Sequence, residues 1–134
     1  MRRGRKPKVV MVDDEPDFVR VVRSWAEPRY SFVGLSRGAE LLPRMEKERP
    51  GLVVLDVYMP DVDGFELCRR IRDDPRYRDV PVLFLTGSAD GDDFLRNMEA
   101  GGNGYLTKPV DRAKLLAEFR RLAGGVDEAA DDEA

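Results

Sequence analysis

Five short apolar runs punctuate this chain, and longer stretches patterned for helices lie between them. The runs are Val9-Val10-Met11-Val12, Phe32-Val33-Gly34-Leu35, Leu52-Val53-Val54-Leu55, Val80-Pro81-Val82-Leu83-Phe84-Leu85 and Tyr105-Leu106. The first and third show no polar alternation, which is the pattern of a strand covered on both faces. Residues 17–27 carry Phe18, Val21, Val22 and Trp25 at helical spacing, and Pro28 stops that helix. A second helix is predicted from Gly38 to Glu48 with Leu41, Leu42 and Met45 facing inward. Pro43 lacks a backbone donor, so this helix should start late or kink. Phe65, Leu67, Cys68 and Ile71 trace a third helix. Phe94, Leu95 and Met98 mark a fourth that stops at Gly101-Gly102. Leu115, Leu116, Phe119, Leu122 and Ala123 give a fifth, broken at Gly124-Gly125. Pro81 fits only at the start of its strand. Five strand–helix units in a row predict an α/β fold: a five-stranded parallel sheet with helices on both faces.

A length of 134 residues suits one domain able to bury its own core. No apolar run approaches the roughly 18 residues of a membrane span. The basic N-terminus has no apolar stretch behind it, so it does not read as a secretory signal. The single cysteine, Cys68, excludes an internal disulfide and suggests a reducing, cytoplasmic setting. Histidine is absent altogether, which excludes a Ser-His-Asp triad, a histidine zinc site and imidazole acid–base chemistry. The net charge of −3 is unevenly spread. Arg2, Arg3, Arg5, Lys6 and Lys8 crowd the start, and Asp127, Glu128, Asp131, Asp132 and Glu133 the end. The expected organisation is a basic arm over residues 1–7, one domain over 8–123 and an acidic tail over 124–134. Both tails read as solvated arms. With their charges cancelling, neither nucleic acid nor membrane is an expected partner of the domain.

In open parallel sheets, ligands bind beyond the carboxyl ends of the strands. That edge should collect Asp13 and Asp14 after the first run, Asp56 after the third, Thr86 after the fourth and Lys108 after the fifth. Crowded carboxylates raise one another's pKa unless a cation sits among them. Mg²⁺ suits such a set, because it takes one or two carboxylates together with waters and phosphate oxygens. A carboxylate nucleophile, a metal, a lysine and a hydroxyl are the parts needed to receive a phosphoryl group.

Four segments, Val-Asp-Asp-Glu-Pro (12–16), Leu-Asp-Val-Tyr-Met-Pro-Asp-Val-Asp-Gly (55–64), Leu-Thr-Gly (85–87) and Gly-Tyr-Leu-Thr-Lys-Pro (104–109), resemble the receiver domain of bacterial two-component response regulators in order and spacing. The resemblance covers about residues 8–123 and implies a flavodoxin-like (βα)5 fold. It implies that Asp56 is phosphorylated by a sensor histidine kinase or a histidine phosphotransfer protein. Asp14, Asp56 and the carbonyl of Tyr58 would ligate Mg²⁺, with Asp13 acting directly or through water. Thr86 and Lys108 would hold the phosphoryl group, and the Lys108–Pro109 peptide would be cis. Tyr105 would turn inward with Thr86. The fourth helix, fifth strand and fifth helix would meet an output partner. Tyr58 and Ser88 would flank the water path for hydrolysis, where a bulky Tyr58 predicts a slow loss of phosphate. Val110 departs from the Phe common at its position, which counts weakly against dimerisation through that face.

Each residue alone also has a plainer reading. Asp13-Asp14 could be a solvated loop, Asp56 a cap, Lys108 a surface charge and Tyr105 strand packing. Trp25 and the Phe residues read as core, and Cys68, on the inner side of its helix, as inert. A phosphorylation-independent protein-binding scaffold is the main rival, although it would be expected to have lost part of the set. A phosphatase of the haloacid dehalogenase type would need Asp in place of Tyr58. A flavin site would need a Ser/Thr/Gly-rich first loop. Enzymatic activity would be confined to the protein's own phosphorylation and hydrolysis.

Overall fold

The structure is a computed structural model and describes residues 6–87 and 91–124. Most of the basic arm, most of the acidic tail, and Ser88 lie outside the described residues. In chain order the elements are β1 (Lys8–Val12), α1 (Pro16–Ala26), β2 (Ser31–Leu35), a 3-10 turn (Gly38–Glu40), α2 (Leu41–Glu48), β3 (Leu52–Asp56), α3 (Gly64–Asp73), β4 (Val82–Thr86), α4 (Gly91–Ala100), β5 (Gly104–Thr107) and α5 (Arg112–Ala123). All strand pairs are parallel, in the order β2-β1-β3-β4-β5. Val12 is level with both Leu35 and Leu55, Asp56 with Leu85, and Thr86 with Thr107. The strands therefore end in step, and the residues that follow them share one edge.

Side-chain alternation divides the core. Val10, Val12, Val53, Leu55, Val82 and Phe84 face Leu41, Met45, Phe65, Leu67 and Ile71 from α2 and α3. Val9, Met11, Leu52, Val54, Leu83 and Leu85 face Val22, Ala26, Leu115 and Phe119 from α1 and α5. Burying each such aliphatic or aromatic side chain contributes about 1.5–3 kcal/mol. The central strands β3 and β4 are buried at every position, as a sheet covered on both sides requires.

Pro43 is accommodated by a late start. The 3-10 turn precedes α2, so Pro43 is the third residue of the helix, where a backbone N–H would have no intrahelical acceptor. Pro81 lies just outside β4, and its carbonyl accepts from the Val53 N–H at 3.0 Å. Two sequence expectations need correction. The inner face of α1 is Val19, Val22 and Ala26, flanked by half-buried Phe18 and Trp25, whereas Val21 is exposed. Phe94, Leu95 and Met98 on α4 point outward, at 49%, 58% and 61% exposure, while Asn97 and Ala100 are buried. Phe94 is thus not core. The apolar spacing identified a helix without fixing which side meets the sheet.

Arg72 fastens the end of α3 to the turn after α4. Its guanidinium donates to the Gly101 carbonyl at 2.7 and 3.0 Å, to the Val80 carbonyl at 2.7 Å and to Asn103 Oδ1 at 2.9 Å. Gly101 takes a positive φ of 90°, the left-handed conformation that ends α4.

Candidate functional site

Four of the expected site residues meet at the carboxyl edge of the sheet. Asp13 follows β1 directly, and its backbone N–H donates to the Leu35 carbonyl at 3.1 Å. Asp56 is the last residue of β3. Carboxylate oxygens of Asp13, Asp14 and Asp56 all lie within 4.8 Å of one another. Asp13 and Asp56 are buried and Asp14 is exposed, so the cluster opens to solvent on one side. Lys108 follows β5, and its backbone N–H donates to the Thr86 carbonyl at 2.7 Å. Its Nζ lies 3.0 Å from Asp13 Oδ2, 3.2 Å from Glu15 Oε1 and 3.7 Å from Asp56 Oδ2. The Lys108–Pro109 peptide bond is cis.

The other expected residues stand around this cluster. Thr86 ends β4 and is buried. Tyr58 is about half exposed, and its backbone N–H lies 3.4 Å from Asp56 Oδ1 as a donor. Tyr105 pairs in register with Phe84, which puts it on the same sheet face as Thr86. It is half-buried, and its ring meets Phe94 edge-on at 5.9 Å.

The loop that carries Asp56 into α3 is tied on both sides. Asp61 accepts from the backbone N–H groups of Gly38 (3.2 Å) and Ala39 (2.9 Å), which hold its carboxyl below the usual range. Asp63 caps α3 by accepting from Phe65 N–H at 2.7 Å, and it pairs with Arg96 of α4 at 2.9 Å. Gly64 is required by close approach, since a Cβ there would lie 2.4 Å from the Asp56 carbonyl oxygen.

Burial and the neighbouring Asp13 charge push the Asp56 carboxyl up to about 7, against the opposing pull of Lys108. Burial also raises Asp13, despite help from the Glu15 N–H and Lys108. For Lys108, burial opposes the charge, but Asp13 and Asp56 together outweigh it and raise its pKa. Asp13 Oδ2 is buried, and the charged group beside it is the Lys108 ammonium, 3.0 Å away. A buried carboxylate oxygen beside two more carboxylates fits a hard divalent cation, which takes oxygen ligands. The acidic cluster can therefore hold a metal ion.

Sequence reasoning passed over three partners. Glu15 hydrogen-bonds Lys108, Phe18 places its ring 5.0 Å from the same ammonium, and Arg96 links α4 to Asp63. Only Glu15 left a trace, as the third acid of Asp13-Asp14-Glu15. Cys68 is buried, and burial pushes its thiol up to about 11, which agrees with an inert role. Among the described residues, no helix is long and apolar enough to cross a membrane.

Comparison with known proteins places these features in a family context. The profile described as "Response regulator receiver domain" matches residues 9–120. The response regulator PleD of Caulobacter vibrioides is 34% identical over 116 residues, covering 86% of this chain and 26% of PleD. An uncharacterized 14.6 kDa protein of Leptolyngbya boryana is 39% identical over 109 residues, covering 81% of this chain and 83% of that protein. The chemotaxis protein CheY4 of Vibrio cholerae superposes with a TM-score of 0.83 at 28% identity, over 88% of this chain and 99% of CheY4. The chain spans 26% of PleD and 51% of a probable transcriptional regulator, ycf27, of Porphyridium aerugineum.

Proposed function

Since the chain belongs to the response regulator receiver domain family, we propose that it takes a phosphoryl group onto Asp56 and so changes its affinity for a partner. The observation that carries this reading is the meeting of Asp13, Asp14, Asp56 and Lys108, which come from three strand ends as much as 95 positions apart, in one solvent-open cluster. An Asp56 oxygen attacks the phosphorus of a phosphohistidine on a kinase or phosphotransfer protein. The P–N bond breaks, its electron pair stays with the imidazole, and the new P–O bond makes the acyl phosphate. Lys108 neutralises developing charge on the phosphoryl oxygens, and the Thr86 hydroxyl donates to one of them. Mg²⁺ held by Asp13, Asp14, Asp56 and the Tyr58 carbonyl would supply further positive charge and favour ionised Asp56.

Thr86 and Tyr105 share a sheet face, and this supports a switch in which Tyr105 turns inward as Thr86 is drawn toward the phosphoryl group. The α4–β5–α5 face then meets the output partner. Tyr58, exposed beside Asp56, restricts the approach of water to the acyl phosphate. Ser88 is assigned the same role from its place in the sequence. A cytoplasmic setting and a receiver unit over residues 8–123 complete the reading. A phosphorylation-independent scaffold has less support, because binding alone would not require all four charged groups to converge.

Incubation with acetyl phosphate should give a Mg²⁺-dependent phospho-adduct by intact mass, and Asp56→Asn should abolish it. Tyr58→Ala should shorten the adduct's lifetime. An adduct that persists in Asp56→Asn would remove Asp56 from its role.

A further inference from the structure

We propose that Glu15 is a positioning residue that draws the Lys108 ammonium away from the phosphoacceptor and thereby slows phosphorylation. The inference rests on the reading above, in which Lys108 serves the phosphoryl group. It begins with the lysine's three donors. One faces Asp13 at 3.0 Å and one Glu15 at 3.2 Å, while Asp56 is 3.7 Å away, beyond hydrogen-bond length. The ammonium also sits 5.0 Å from the centre of the Phe18 ring, which stabilises a cation in that position. Lys108 therefore rests toward the start of α1 and not against the residue it would assist.

Glu15 has another use close at hand that it does not take. It is the N-cap residue of α1, where a carboxylate could accept backbone N–H groups, yet its side chain makes no cap hydrogen bond and reaches Lys108 instead. Two residues on, Asp17 carries the same charge in the first turn but pairs with Arg20. When a phosphoryl donor approaches, Lys108 must shift from beside Glu15 toward a phosphoryl oxygen. Glu15 competes for the lysine and also repels the incoming anion. Its carboxylate is well exposed, so the hold is screened and moderate.

The test compares the full chain with Glu15→Gln and Asp17→Asn, each of which removes one negative charge from the start of α1. Adduct formation from acetyl phosphate at saturating Mg²⁺ is followed by intact mass. Glu15→Gln should phosphorylate about threefold faster in low salt, a gain of the size expected for one exposed ion pair. That gain should shrink between about 0.05 M and 0.5 M salt, because the competing pair is screened. Asp17→Asn should match the wild type. An unchanged or slower Glu15→Gln, a gain insensitive to salt, or an equal gain in Asp17→Asn would each overturn the proposal. Wild-type protein that forms no adduct would overturn the phosphoacceptor reading along with it, whereas an adduct indifferent to Glu15 would overturn this inference alone.

Discussion

Strands β3 and β5 read as variants of one apolar pattern, yet they meet very different surroundings. Every residue of β3 is buried, and its last one is Asp56. None of the four residues of β5 is fully buried. The helix beside β5 repeats the contrast, since α4 turns Phe94, Leu95 and Met98 to solvent and buries Asn97. The proposed acceptor thus stands on a close-packed platform where neighbours fix each side chain. The α4–β5 side buries fewer of its apolar side chains, so shifting it costs less. On the proposed reading, the chemistry that needs fixed distances sits at the central strand and the surface that changes shape at one edge of the sheet.

The largest test of this contrast compares two leucines. Leu55→Ala, in β3, should cost about 2–5 kcal/mol by urea denaturation. Leu95→Ala, on the outer face of α4, should fall within about 0.5 kcal/mol of wild type. Equal losses would erase the distinction between platform and moving surface.

A second test uses pH and addresses the platform alone. Asp56 is raised from 3.8 to about 7, so the folded chain keeps a proton there that the unfolded chain has released. Without a divalent cation, stability should therefore fall as pH rises between those values and level off above about 7, a loss of at most a few kcal/mol. Burial of Asp13 adds to the same trend. Urea midpoints in chelator should show the slope, added Mg²⁺ should flatten it, and Asp56→Asn should remove most of it. A slope that survives in Asp56→Asn would have to come from another group.

The smallest effect is expected where α4 meets β5. A Cβ at Gly102 would lie 2.0 Å from Asn97 Oδ1 and 2.6 Å from Phe84 Cε2. Gly102→Ala should cost about 1–3 kcal/mol through overcrowding. Asn97 Oδ1 is buried and accepts no hydrogen bond, so Asn97→Ala should be nearly neutral and should restore part of the loss in the double variant. Additive losses would show that the two positions do not share the space.

Much of the platform was legible in the sequence. Unbroken apolar runs such as Val53-Val54-Leu55 name a doubly covered strand, and a polar residue ending each run marks the edge where ligands bind. The orientations of α1 and α4 were not legible. Helical periodicity gives a stripe, but on α4 that stripe faces outward and a polar Asn lies beneath it. Nor did spacing reveal the attachment of Lys108 to Glu15, 93 positions away, because a flexible lysine's choice among three acids is settled only by their arrangement in space.

The grip of Arg72 on the Gly101 carbonyl, described with the fold, gives α4 a fixed end. A rod anchored at its tail can swing more easily than it can slide. Displacement of α4 would then grow with distance from Gly101 and be greatest at the helix's first turn, the end reached by the segment leading out of Thr86. In the proposed switch, the amino-terminal turn of α4 would then travel farthest.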